Sequence, residues 1–240
     1  MNSWDPGDRL DRFVTELRTG MGDVLESVVL FGSIPRGEAQ EGVSDVNLLL
    51  LLRDAHRATL AKGAPVVQRW REEAGAVPLL FTPDEWRRSA DVFPLEIADM
   101  QDHRRLLLGP DPLLELHVSL GHLRLQVERE LRGKLVQLRR GMFLVADQPA
   151  DLGRLLLGAA PSIATYLRAV LRLAREPVPA SSIEAAQDAC ARVGVSAEPF
   201  LEVWAARARP TAFVPDTSCT DGVIDLMLAT ATYVDSLEER

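Results

Sequence analysis

The chain reads as an α+β protein, a small α/β domain over residues 1–110 followed by a C-terminal helical bundle over 111–240. Three observations predict this. Short runs rich in leucine and β-branched residues alternate with helix-period segments only in about the first 110 residues. Beyond them the apolar residues recur at helical spacing and no strand-like run returns. Between the two halves, "GPDPL" at 109–113 interrupts both patterns.

Residues 8–20 are expected to form a first helix. Leu10, Phe13, Val14 and Leu17 fall at helical spacing, and Gly20 with Gly22 supplies a stop. "SVVLF" at 27–31, ended by Gly32, reads as a buried strand. A turn and a short helical segment should follow, then "VNLLLLL" at 46–52. That run does not alternate, so it should be a strand covered on both faces. A helix over 65–74 and a third strand in "AVPLLF" at 76–81 complete the first half. From 113 to about 145 the spacing predicts one long helix, with Leu116, Leu120, Leu123, Val127, Leu131, Leu135, Leu138 and Met142 as its apolar stripe. Further helices are expected over 151–175, 182–193, 199–207 and 221–237, with Ser181 or Ser182 as an N-cap near Glu184.

The 240 residues can bury a sizeable core, and 47% hydrophobic with 26% charged residues is an ordinary globular balance. A net charge of -8 argues against a phosphate-neutralising nucleic-acid surface. Cys190 and Cys219 have no metal-ligand spacing and fit a reducing compartment. The start, "MNSWDPGDRLDRF", lacks the basic end and apolar run of a secretory signal. The longest apolar stretches are too short to cross a bilayer. The expectation is a soluble cytoplasmic protein. No HExxH occurs, and His117 and His122 are five apart, which does not place them on one helical face.

The chemistry concentrates in "VVLFGSIPRGEAQEGVSDVNLLLLL" at 28–52. Gly32 lets the backbone approach a ligand without a Cβ in the way. Ser33 offers a hydroxyl and an N–H at the expected helix start, where the dipole favours phosphate. Arg36 could add a charge-assisted contact, and Gly37 a second flexible point. Asp45, at the edge of the next strand, could hold the Mg²⁺ that accompanies a triphosphate.

Phe31-Gly32-Ser33, a gap of eleven residues, then Asp45-Val46-Asn47-Leu48 resembles the signature of the nucleotidyltransferase superfamily, the polymerase-beta-like fold that includes aminoglycoside-modifying enzymes. Arg36-Gly37 also matches many members. The resemblance covers about the first 110 residues, and the helical half is similar in kind to the C-terminal bundle of the kanamycin-modifying relatives. It implies a small mixed sheet, a bound nucleoside triphosphate, two Mg²⁺ ions, and a small-molecule or protein acceptor. It also implies a glutamate base on the first long helix of the second half, where Glu128 falls.

The departures are in the acids. The resemblance implies two carboxylates where the chain has Asp45 and Asn47, and a third on the next strand, where "VPLLF" at 77–81 has none and Pro78 sits about in its place. Two unit charges about 4 Å apart interact by about 4 kcal/mol at an effective dielectric of 20. Losing one carboxylate should therefore cost several powers of ten in rate if the chemistry needs it. Asn47 can still ligate weakly, leaving a weak or single Mg²⁺ site. Glu96 in "FPLEI" has two readings, a substitute ligand or a surface or capping residue. Glu128 also has two. It is a helix-borne base, or the centre of an ion-paired face, since Arg124, Glu128 and Arg132 lie at i, i+4 and i+8.

Two functions follow. In the first, the fold keeps triphosphate affinity through Gly32, Ser33 and Arg36 but has lost turnover, and the chain is a binding or regulatory protein. In the second it is an active Mg²⁺-dependent nucleotidyltransferase acting on a small-molecule hydroxyl or a protein side chain. The helical half could take a small molecule, a second copy in a homodimer, or another protein.

Overall fold

The computed structural model describes residues 4–74 and 76–237. Its sheet is built around the two apolar runs: β1 (Leu25–Phe31) and β2 (Asn47–Leu52) pair antiparallel, with Val28 opposite Leu50 and Phe31 opposite Asn47. β3 (Leu79–Phe81) adds parallel to β2, and β4 (Arg104–Leu108) adds antiparallel to β1. The order β3-β2-β1-β4 is a four-stranded mixed sheet.

Both central strands are buried on both sides, which is why their sequences do not alternate. Val28, Leu30, Leu48, Leu50 and Leu52 pack under α1 (Gly7–Met21) and α2 (Arg57–Ala74), against Leu10, Phe13, Leu17, Met21 and Trp70. The rings of Phe13 and Trp70 lie 4.5 Å apart at this contact. Val29, Leu49 and Leu51 face the other way, against Trp86 of α3 (Pro83–Arg87) and Ile97 and Met100 of α4 (Pro94–Asp102). Each leucine so buried contributes roughly 2 kcal/mol by area.

Several elements differ from the sequence reading. α2 begins at Arg57, with Pro65 inside it rather than at its start. The packing of α1 on α2 overrides the local cost of Pro65. It also uses Gly63, whose absent Cβ would lie 2.9 Å from Met21 Sδ. Asp84 and Glu85 start α3, where Glu85 and Thr82 exchange bonds in a capping box. β4 went unforeseen. Gly109 at its end passes so close to β1 that a Cβ would meet the Glu26 carbonyl at 1.9 Å. The long helix, α5, spans Leu120–Val145 and not the seven residues before it. Leu113 and Leu116 share its period, but they are buried in the second sheet-face core instead.

The chain forms two compact units, Met1–Val118 and Ser119–Arg240. The second is helical: α5, α6 (Pro149–Leu173), α7 (Ser182–Val193), α8 (Glu198–Ala206) and α9 (Thr217–Ser236). α6 packs on each of the other four. Its buried face includes Ala160, Ala164, Ala169 and Arg168, whose guanidinium donates to Ser182 Oγ (3.1 Å) and Thr165 Oγ1 (3.0 Å). Ser181 is the cap of α7, its hydroxyl accepting from the Glu184 N–H. Asp216 caps α9 in the same way, from the Cys219 N–H at 2.7 Å. Among the described residues no helix is long and apolar enough to cross a membrane.

Candidate functional site

At the end of β1 the chain turns at Gly32, whose φ of 88° is one that residues with a Cβ rarely adopt. Ser33 to Gly37 then make a single turn. The Gly37 N–H donates to the Ile34 carbonyl and the Glu38 N–H to the Ser33 carbonyl, each at 3.0 Å, with Gly37 at φ 77°. This bond pair is the one that ends helices, and here it ends the turn at once. The short helical segment expected between the strands is therefore one closed turn, with no helix dipole behind Ser33. Ile34 and Ala39 anchor the turn in the α1–α2 core.

Asp45 is exposed in the coil before β2, and Asn47 is the first residue of β2. Asn47 lies on the α3–α4 face of the sheet, as Leu49 and Leu51 do. Its amide sits against Gly32: a Cβ on Gly32 would be 2.8 Å from Asn47 Nδ2. The turn and the first residue of β2 thus approach as closely as a glycine permits. β3 pairs Leu79 with Leu49, so continuing that parallel register two residues back brings Val77 beside Asn47. Neither is an acid.

Arg36 is turned inward, with its side chain 10% exposed. Its Nη1 donates to Asp99 Oδ2 of α4 at 3.1 Å, and its Nε lies 3.6 Å from Glu38 Oε2. The clamp ties the Gly-Ser turn to α4. Glu96 is exposed in the first turn of α4, and Asp99, one helical turn later, is an acid that α4 brings to the turn. Sequence reasoning missed Asp99, whose partner lies 63 residues away. It also missed Arg104, which pairs across β1 with Phe31, in line with Asn47, and is held by Asp111 at 2.7 Å. Among the described residues no group of three or more His, Cys, Asp or Glu is arranged to hold a metal ion.

No family profile and no curated protein matches the chain by sequence. Among solved structures, it is similar to the crystal structure of spectinomycin adenyltransferase AAD(9) from Enterococcus faecialis with ATP and spectinomycin. The TM-score is 0.57 at 9% identity, over 97% of this chain and 100% of that one. The chain has the nucleotidyltransferase fold.

Asp45 supplies a carboxylate and Asn47 a neutral carbonyl oxygen, where paired cations need several anionic oxygens. In the helical unit, Glu128 of α5 lies between Arg132 (2.8 Å) and Arg124 (3.3 Å), and Arg132 also reaches Asp235 of α9 at 3.3 Å. The hydrogen bond from Arg132, with both guanidinium charges, holds the Glu128 carboxyl below its usual range. It occupies the centre of an ion-paired helix face, and a carboxylate held in its charged form is a weak proton acceptor.

Proposed function

We propose that this nucleotidyltransferase-fold chain binds a nucleoside triphosphate at the Gly32-Ser33 turn, with one weakly held Mg²⁺ at Asp45 and Asn47, and transfers its nucleotidyl group poorly or not at all. It then serves as a binding or regulatory protein. The observation that carries this reading is the Asn47 amide packed against Gly32, a neutral group in the place where two-metal chemistry needs charge. The turn keeps its glycine conformation, which lets a phosphate approach the backbone closely. Arg36 contributes by holding the turn against α4 through Asp99.

The likeness to a structure containing ATP and an acceptor favours a second reading, an active transferase. There Glu96 would supplement Asp45, Glu128 would serve as base, and the acceptor would be a small-molecule hydroxyl or a protein side chain.

Titration calorimetry of the full chain with ATP, with and without Mg²⁺, tests the first reading, together with incubation with labelled triphosphates. The expected result is weak saturable binding and little transfer. Asn47→Asp should tighten the Mg²⁺-dependent part by about tenfold, equivalent to about 1.4 kcal/mol. Robust transfer that disappears in Asp45→Ala would establish the enzyme instead. No gain in Asn47→Asp would remove Asn47 from the metal position.

A further inference from the structure

Among the described residues one non-glycine has a positive φ: Arg175, at 58°. It stands where α6 ends. Its N–H donates to the Arg172 carbonyl at 3.0 Å, and the Glu176 N–H donates to the Leu171 carbonyl at 2.9 Å. This helix stop favours glycine at the left-handed position. An arginine there gives up backbone stability, and residues held in such conformations concentrate at functional sites. The Arg175 side chain is exposed and makes no ion pair among the described residues.

Arg175 opens onto a groove of about 1020 Å³ that lies wholly within the helical unit. Arg124 and His122 from the start of α5, Arg192 of α7 and Tyr233 of α9 also line it. Three arginines line this space, and among the described residues no Asp or Glu is part of its wall. Glu128 and Glu176 each hold one amino group, of Arg124 and Arg192, at 3.3 Å. That leaves donors unused. Arg192 and Arg124 each keep an Nη2 group that makes no hydrogen bond among the described residues. The Tyr233 hydroxyl accepts from Arg192 Nε at 3.0 Å, so its own proton is available to a ligand. The carbonyls that end α6 are partly satisfied by the Arg175 and Glu176 N–H groups, which weakens the repulsion a helix C-terminus would exert on an anion. On a chain of net charge -8, a concave wall of this sign is a local departure.

We propose that this groove binds a small polyanion, a molecule carrying two or more phosphate or carboxylate groups, through Arg124, Arg175 and Arg192. Planar guanidinium forks suit both groups, and three of them around one opening match several negative charges better than one. The inference goes beyond the nucleotide reading and does not depend on it.

The test uses the full chain, without nucleotide or magnesium, titrated by calorimetry with tripolyphosphate in one arm and citrate in the other. Saturable binding in at least one arm is expected, and which arm is tighter identifies the class of group. Affinity should fall at least tenfold in Arg175→Gly and in Arg192→Gln, and it should fall with added salt. Glycine suits the backbone at position 175, so Arg175→Gly should melt no lower than the parent protein while losing the anion. That combination separates a binding role from a structural one. No saturable binding in either arm, or affinity unchanged in both variants, overturns the proposal.

Discussion

Asn47 and Gly32 are best understood as a pair. The glycine holds a φ of 88°, and the amide of the asparagine fills the space where a Cβ would stand. Gly32→Ala therefore meets two penalties, a disfavoured backbone and a 2.8 Å contact. The contact falls on the far end of a side chain that can rotate away, so the backbone cost should dominate, at about 1–2 kcal/mol. Urea denaturation should show that loss for Gly32→Ala alone and nearly the same loss on an Asn47→Ala background. If Asn47→Ala instead restored most of the stability, steric crowding by the amide would outweigh the backbone cost. The spacing of Gly32, Ser33, Asp45 and Asn47 was visible in the sequence because neighbours along two adjacent strands keep their order. The Arg36–Asp99 clamp was not, since it joins residues that only folding brings together.

The junction from β2 into α2 shows how an element is started against its local propensity. The Asp54 carboxylate accepts from the Thr59 hydroxyl, from the His56 ring and from the His56 N–H at 3.0 Å. The hydrogen bond from Thr59, and then those from His56, hold its pKa down to about 2, from 3.8. The same partner raises the His56 pKa above 6.5. A depressed carboxyl stabilises the fold fully above its ordinary pKa and loses that contribution as pH falls through the lowered one. A raised histidine stabilises below its ordinary pKa and loses the contribution as pH rises. The corner should thus be strongest between about pH 4 and 6.5. Asp54→Asn should lower the urea midpoint most within that window, and the difference from the parent should shrink as pH approaches 2. A difference that stays constant down to pH 2 would show that charge at Asp54 does not hold this junction. The sequence reading started the helix at Pro65; the Asp54 bonds and the α1 contact carry it back to Arg57, across Gly63 and Pro65.

Each compact unit encloses its own core, the first on the two faces of the sheet and the second around α6. Leu49, fully buried in the α3–α4 face, is the sharper probe of the first. Leu49→Ala should cost about 2–5 kcal/mol. Hydrogen exchange should then quicken through β1, β2 and β4 while α6 and α9 keep their protection, as expected of separate cooperative units. Equal loss of protection in both halves would show that the whole chain unfolds as one.

The apolar periods of β1, β2 and α6 to α9 were legible because side-chain spacing is local: it follows from backbone geometry and needs no partner. So was the glycine turn between β1 and β2. Pairing decided the rest. β4 exists because "RRLLL" finds β1 and Gly109 lets the backbones meet, and Leu113 and Leu116 leave the helical period to fill the second face. Arg175, one charge among many in the sequence, stands out only once its backbone and the cationic groove it enters are seen together.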